Sequence, residues 1–409
     1  MNQRISSIDA MRGLVIVLMA LDHCRDFFGD MRILTEDPAT TTVALFFTRW
    51  ITHFCAPAFV FLAGISAWLH GEKLGNRRQL AGYLLTRGFW LLILDHTVVY
   101  FALALSITIV PWMFIVLSAI GCSMVALSVL CFLPTRAVLV IGLIIICGHN
   151  LLDGVDASMF GRFDWIWILV HDGPGYIEWA NLEVGYPVLA WVGVMATGYG
   201  FAPLLKQPPF DRSRFLLVIG TVVVVGFFIL RMTNAYGDPR PWSLQGTLAL
   251  GSTEAMDATS SSAITTDWVR TGISFLRATK YPPSLIYLLM TLGPALMLLG
   301  WFEHLGKDSS LVQHLEVFGR VPLFFYVLHF YLIHIASIFT YWVIRGVPLS
   351  PFQAIYSQSE ETPLSSEFGF PGLWQVYVAW CVVIVLMYPL CKWFGRVKRN
   401  GKSALWSYL

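Results

Sequence analysis

Several apolar stretches of this chain carry ionisable side chains where a lipid-facing helix would have none. His23 lies in the first, and Arg49 and His53, four residues apart, in the second. Asp95 and His96 lie in the third, and Tyr326, His329 and His334 in the ninth. Such groups cost at least about 2.5–3.5 kcal/mol each at the centre of a membrane helix, so their presence calls for a partner or a task. Imidazole titrates near neutrality and suits proton transfer at a reacting atom. Guanidinium groups supply the complementary chemistry, since their forked donors match phosphate. Arg12, Arg87 and Arg320 supply a second set near the other ends of the first, third and ninth stretches.

The elements that must position these groups follow from composition. Hydrophobic residues make up 56% of the 409 residues and charged residues 13%, both displaced from soluble norms toward lipid as solvent. Apolar windows fall at about 8–27, 46–69, 82–103, 110–132, 135–152, 186–205, 214–232, 283–303, 318–344 and 373–394. Each can cross a hydrocarbon core of roughly 30 Å. A helix satisfies its own backbone and is the element that can do so singly. The expectation is an all-α, polytopic bundle of about ten transmembrane helices. It forms one domain over 1–409, with external loops at about 153–185 and 233–282.

Basic residues set the orientation. One set of connections carries Arg4; Lys73, Arg77 and Arg78; Arg136; Lys206, Arg212 and Arg214; and Lys307. The tail adds Lys392, Arg396, Lys398, Arg399 and Lys402. The alternate connections are acidic: Asp30, Glu36 and Asp37; Asp153 to Glu183; Glu360, Glu361 and Glu367. Both termini are therefore expected in the cytoplasm, with the protein in the cytoplasmic (inner) membrane. The first apolar stretch is expected to stay as a span rather than act as a cleaved signal, because Asp22, His23, Arg25 and Asp26 interrupt its end. Arg270, Arg277 and Lys280 run against the charge trend.

With this orientation His23, Arg49, His53, Asp95 and His96 fall in the outer half of their helices, Tyr326 and His329 near mid-depth, and His334 above them. Arg12 and His23 are eleven residues apart, almost three turns, and share a face about 16 Å apart along the axis. An inner ring of guanidinium groups joined to an outer layer of imidazoles suits a substrate with an anionic head and a long reactive arm. Coenzyme A thioesters have that shape.

Plainer readings stand beside this one. Arg87 and Arg320 also fit as inner-face anchors, His96 and His334 as hydrogen-bonded packing residues, and Asp95 as the partner of Arg49. The net charge of +2 and unclustered basic residues give no sign of nucleic-acid binding. Seven cysteines with no C-x-x-C pair read as reduced packing residues, and no metal is expected.

The run RISSIDAMRGLVIVLMALDH, Arg4 to His23, resembles the opening of the transmembrane acyltransferase superfamily, with Asp9, Arg12, Gly13 and His23 matching its first-helix motif. FVFLAGISA (Phe59 to Ala67) resembles the second-helix signature of periplasmic glucan succinyltransferases and of the heparan-α-glucosaminide N-acetyltransferase catalytic-domain family. Tyr186 to Leu205 and Phe318 to His334 are most similar to bacterial members of that acetyltransferase family. The resemblance implies transfer of a short acyl group, acetyl first among them, from cytosolic acyl-CoA to an extracytoplasmic hydroxyl or amine acceptor such as a glycan. It carries His23 over as catalytic histidine and Arg12 as motif arginine. The animal heparan enzyme has asparagine at the position of His23, so its own acceptor does not carry over.

On this reading His23 is the base, oriented by Asp26 or by Asp95. Asp22 is set aside because neighbouring helical side chains point about 100° apart. Arg49, His53 or Tyr326 would steady the oxyanion, with His329 in the same layer, and Arg12, Arg87 and Arg320 would hold the CoA phosphates. Acyl-CoA, membrane lipid and the acceptor are the expected partners, and a homodimer is left open. The competing class is a secondary transporter for a small polar or anionic solute, but the repeated halves expected of such carriers are not evident.

Overall fold

The computed structural model describes residues 5–30, 33–105, 111–248, 264–346 and 372–400. α1 (Ser6–Phe28) is followed by α2 (Val43–Thr52), α3 (Cys55–Leu74) and α4 (Arg77–Leu94), and a π-helical turn, Asp95–Val99, leads into the short α5 (Tyr100–Ala104). Next come α6 (Val116–Leu130), α7 (Thr135–Gly148), α8 (Asp164–Val170), α9 (Val188–Phe201) and α10 (Pro209–Thr233). The remaining described helices are α11 (Trp268–Leu276), α12 (Leu285–Leu305), α13 (Ser310–Gly319), α14 (Pro322–Arg345) and α15 (Leu373–Asn400).

Eight helical segments among the described residues are long and apolar enough to cross a membrane. α2 with α3 counts as one of them, and α4 with α5 as another. The other two expected windows hold α1, whose charged residues set it apart, and α6, fifteen residues long. The protein is an all-α polytopic membrane bundle. The α2–α3 unit and α9 are central, each 72% buried over its apolar window, whereas α10 and α15 are 22% and 17% buried and face outward. Their exposed Val, Leu, Ile and Phe side chains form the surface that lipid would cover.

Three windows differ from expectation in detail. The fourth begins as a strand: Trp112–Phe114 pairs in parallel with Leu182–Val184, which pairs antiparallel with Gly175–Ile177. The loop at 153–185, expected outside, is thus tied to the start of α6. The second window is broken at His53–Phe54. Pro57 lacks the N–H that would bond the His53 carbonyl four residues earlier, and the Tyr287 hydroxyl donates to that carbonyl instead, at 2.7 Å. The ninth window is broken after α13, with Pro322 opening α14 at a position where proline is favoured. The acidic connection with Glu360, Glu361 and Glu367, the basic residues Arg4 and Lys402, and most of the Ser/Thr run from Thr259 lie outside the described residues.

Phe394 of α15 stacks on Phe324 at the start of α14, and Tyr388 packs on Phe318 of α13. α13 in turn crosses the start of α1. A Cβ on Gly13 would meet the Leu315 carbonyl, and one on Gly319 would meet the Asp9 carbonyl. Both backbones approach because both helices are bare at the crossing. The start of α1 and the end of α15 therefore lie at one end of the bundle, the inner end in the charge-based orientation.

Gly13→Ala is expected to lower the thermal midpoint of the purified protein, since overpacking a tight contact costs about 1–3 kcal/mol. Gly148→Ala, which meets open space, is expected to leave the midpoint unchanged. Equal behaviour of the two variants in a melting assay would contradict the crossing.

Candidate active site

A cavity of about 300 Å³ runs through the middle of the bundle. Its inner part is walled by Arg12, Ser66, Tyr83 and Arg87, and its outer part by Asp22, His23, Thr52, Tyr186 and Lys280, with Tyr326 also on the lining. A vestibule of about 690 Å³ lies at the inner end, lined among others by His70, Lys73, Lys206 and Arg212. Arg12, Ser66 and Tyr83 line both spaces. The imidazole and the motif arginine of α1 thus address one connected chamber.

Arg12 is fixed at the junction. Its guanidinium donates to Asp9 at 2.8 Å, to the Gly319 carbonyl at 3.2 Å and to Ser66 Oγ at 2.9 Å. The glycines at the α1–α13 crossing bring that carbonyl within reach. Arg87 lies over the Tyr83 ring, 4.6 Å from its centroid. Arg320 is not with them. The helix break leaves it just past the end of α13, where it pairs with Glu316 and lines a separate groove with Lys398 and Arg399. The expected ring of three guanidinium groups is a pair.

His23 is flanked by His329 and Phe330, with ring centroids at 5.2 and 4.3 Å. Asp26 stands 3.9 Å from His23 Nδ1, beyond hydrogen-bond reach, and takes a 2.5 Å bond from Arg25. Asp95 is elsewhere: its Oδ2 accepts from the Ser118 backbone N–H at 3.0 Å and from Ser118 Oγ at 2.6 Å. It caps the start of α6 and does not pair with Arg49. Arg49 instead donates from Nη1 to both oxygens of Asp22, at 2.8 and 2.7 Å, and Thr52 Oγ1 adds a third bond at 2.8 Å. The carboxylate set aside on angular grounds is therefore the one at the cavity wall.

His53 faces away from the cavity toward Glu36, with Nε2 and Oε1 2.9 Å apart. His329 is fully buried, and its Nδ1 lies 3.0 Å from the Phe325 carbonyl. A carbonyl only accepts, so Nδ1 carries a proton, and Nε2 has no hydrogen-bond partner. The Tyr326 hydroxyl is buried on the cavity wall and likewise has no partner. His96 and His334 bond the Leu92 and Ala102 carbonyls at 2.9 and 2.8 Å. These two match the packing reading.

Lys280, an exception to the charge trend, is buried at the outer end of the cavity. Its ammonium lies 5.0 Å over the Tyr281 ring and 5.6 Å over the Tyr186 ring. The segment presenting it is held by Asp238, which accepts from the Thr279 N–H and hydroxyl, both at 2.8 Å, and from Ser284 at 2.9 Å. Lys280 was missed in the sequence because it sits in a connection, and Tyr186 because it stands at the very edge of the sixth window. The countertrend charge was the one available signal.

A polar cap closes the outer side. Glu36 touches His53, and Arg49 and Arg240 each approach it to 3.6 Å. Burial alone would raise its carboxyl. The close approach of His53, with the charges of Arg49 and Arg240, outweighs that and holds it at about 2.

Facing imidazoles, a buried phenol and a guanidinium-lined vestibule thus come together inside a membrane bundle. The family model for heparan-alpha-glucosaminide N-acetyltransferase, catalytic, matches residues 4–232. The chain belongs to that family, and with it to the membrane acetyltransferases. No curated protein matches the chain.

The Glu36 carboxylate is held below its ordinary value of 4.5, so its contribution to stability is complete above that value and is lost as pH falls toward 2. Thermal midpoints recorded across that window should fall more steeply for the native chain than for Glu36→Gln. Parallel curves would exclude the cap as an acid-labile contact.

Proposed function

We propose that this protein transfers an acetyl group from acetyl-CoA, bound from the inner vestibule, to a hydroxyl or amine acceptor entering beneath Lys280 at the outer end. One observation carries the reading: Arg12 lines both the vestibule and the cavity that contains His23. Donor phosphates would rest near Arg12, Arg87 and the vestibule cations Lys73, Lys206 and Arg212. The thioester arm would then extend along α1 over the roughly 16 Å to His23.

His23 takes the proton from the acceptor as its oxygen or nitrogen attacks the thioester carbonyl. The Tyr326 hydroxyl, buried and without another partner, donates to the oxyanion that forms. As the tetrahedral species collapses, the C–S bond breaks and the imidazolium returns the proton to the departing thiolate. The products are acetylated acceptor and free CoA thiol. His329 packs against His23 and limits its ring orientations. Asp22, neutralised by Arg49, supports the same wall without being consumed.

In proteoliposomes supplied with acetyl-CoA, His23→Ala should reduce kcat by about 10²-fold or more while donor binding persists. Tyr326→Phe should cost a similar factor in kcat with little change in KM. Arg12→Lys keeps the charge but loses the fork. It should weaken donor binding by roughly tenfold, whereas Arg320→Ala should not. Full turnover by folded His23→Ala would refute the assignment, and solute uptake that needs no acyl donor would favour a carrier.

A further inference from the structure

Apart from the chamber, the first external loop gathers two imidazoles and a carboxylate. His149 opens the turn that follows α7, Asp153 lies four residues on, and His171 follows the last residue of α8. One ligand atom from each falls within 4.8 Å of the others. The two imidazoles are 2% and 3% exposed, and none of their four ring nitrogens has a hydrogen-bond partner. Asp153 lies close by: its Oδ1 is 3.2 Å from His171 Nε2, off the hydrogen-bonding direction. The rings meet edge to face, with centroids 5.7 Å apart and planes at 76°.

Buried polar atoms are ordinarily satisfied, so four orphaned nitrogens in one place need a reason. Packing alone gives none, because apolar rings would fill the same space without the desolvation cost. Two imidazole nitrogens and one carboxylate oxygen form a ligand set of zinc sites that keep a further position for water. The paired imidazoles favour zinc and neighbouring transition metals over magnesium or calcium. The outer support of such a site is also present. Asn150 donates to Asp153 Oδ2 at 2.9 Å, and its own Oδ1 accepts from the Leu285 N–H, at 2.8 Å. That bond orients the carboxylate and ties the cluster to the first residue of α12. Asp153, partly exposed, leaves a way in for an ion from solvent.

We propose that His149, Asp153 and His171 bind Zn²⁺ or a similar divalent transition-metal ion, which fastens the external loop to the ends of α7 and α12. None of the three residues lines the chamber, and the site contributes no group to the transfer step.

The test uses the full chain, purified without a polyhistidine tag, stripped with EDTA and titrated with Zn²⁺ alone and with Co²⁺ alone. Elemental analysis should find about one equivalent of zinc per chain, and cobalt should give visible absorption bands of a low-coordinate site. Zinc should also raise the thermal midpoint by mass action on the folded state. His149→Ala and His171→Ala should each abolish stoichiometric binding, and Asn150→Ala should weaken it by about 10–100-fold. The native chain decides the matter even where a variant fails to fold. Absence of stoichiometric zinc and of any thermal shift in the native protein would overturn the proposal. So would stoichiometric binding that survives loss of both imidazoles. Neither result bears on acetyl transfer, which is read separately.

Discussion

A carboxylate cannot remain charged within an apolar bundle without opposite charge and donors close by, and Asp22 has both. Arg49 from α2 engages both of its oxygens, Thr52 adds a hydroxyl, and Arg25 stands 3.1 Å away on its own helix. This cluster joins α1 to α2 next to His23. α2 can present Arg49 and Thr52 there because the chain bends directly after them. The bend in turn rests on Pro57 and on the Tyr287 hydroxyl that satisfies the freed His53 carbonyl. Removing one charge of the Asp22–Arg49 pair would take from the other its two-oxygen partner beside His23.

At the other end of α1 the controlling feature is close backbone approach. Gly13 and Gly319 let α13 lie against α1, and the same contact delivers a carbonyl to Arg12. A guanidinium held by three protein acceptors is pre-organised, so less entropy is lost when it meets an anion. The glycine after the motif arginine is therefore part of how the arginine is aimed. α1 is best understood as a rod whose two ends are fixed by different means, ionic at the outer end and steric at the inner one.

The helical bundle was legible in the sequence because hydropathy reports the solvent directly. The inner and outer layers were legible because helical rise converts residue number into depth. Azimuth was not legible. Asp22 was discounted by its angle to His23, although the relevant angle was to Arg49 on the next helix. Asp95 has suitable depth but turns to Ser118. Arg320 was assigned to α14 on hydropathy, although Pro322 marks a boundary just after it. Lys280 is invisible to any span-based reading, because a connection dips into the bundle to place it. His149, near the end of the fifth window, and His171, in a loop, were passed over because no short spacing links them.

Lys280 has one more consequence. A chamber extending from the inner vestibule nearly to the outer surface invites water, and with water a leak of protons through an energised membrane. Here fixed cations stand at both limits, Arg12 and Arg87 at one and Lys280 at the other. Positive charge at a constriction repels hydronium and metal cations while admitting anionic substrate groups. On this reading the fixed charges at the two ends would oppose a leak of protons or metal ions along the chamber.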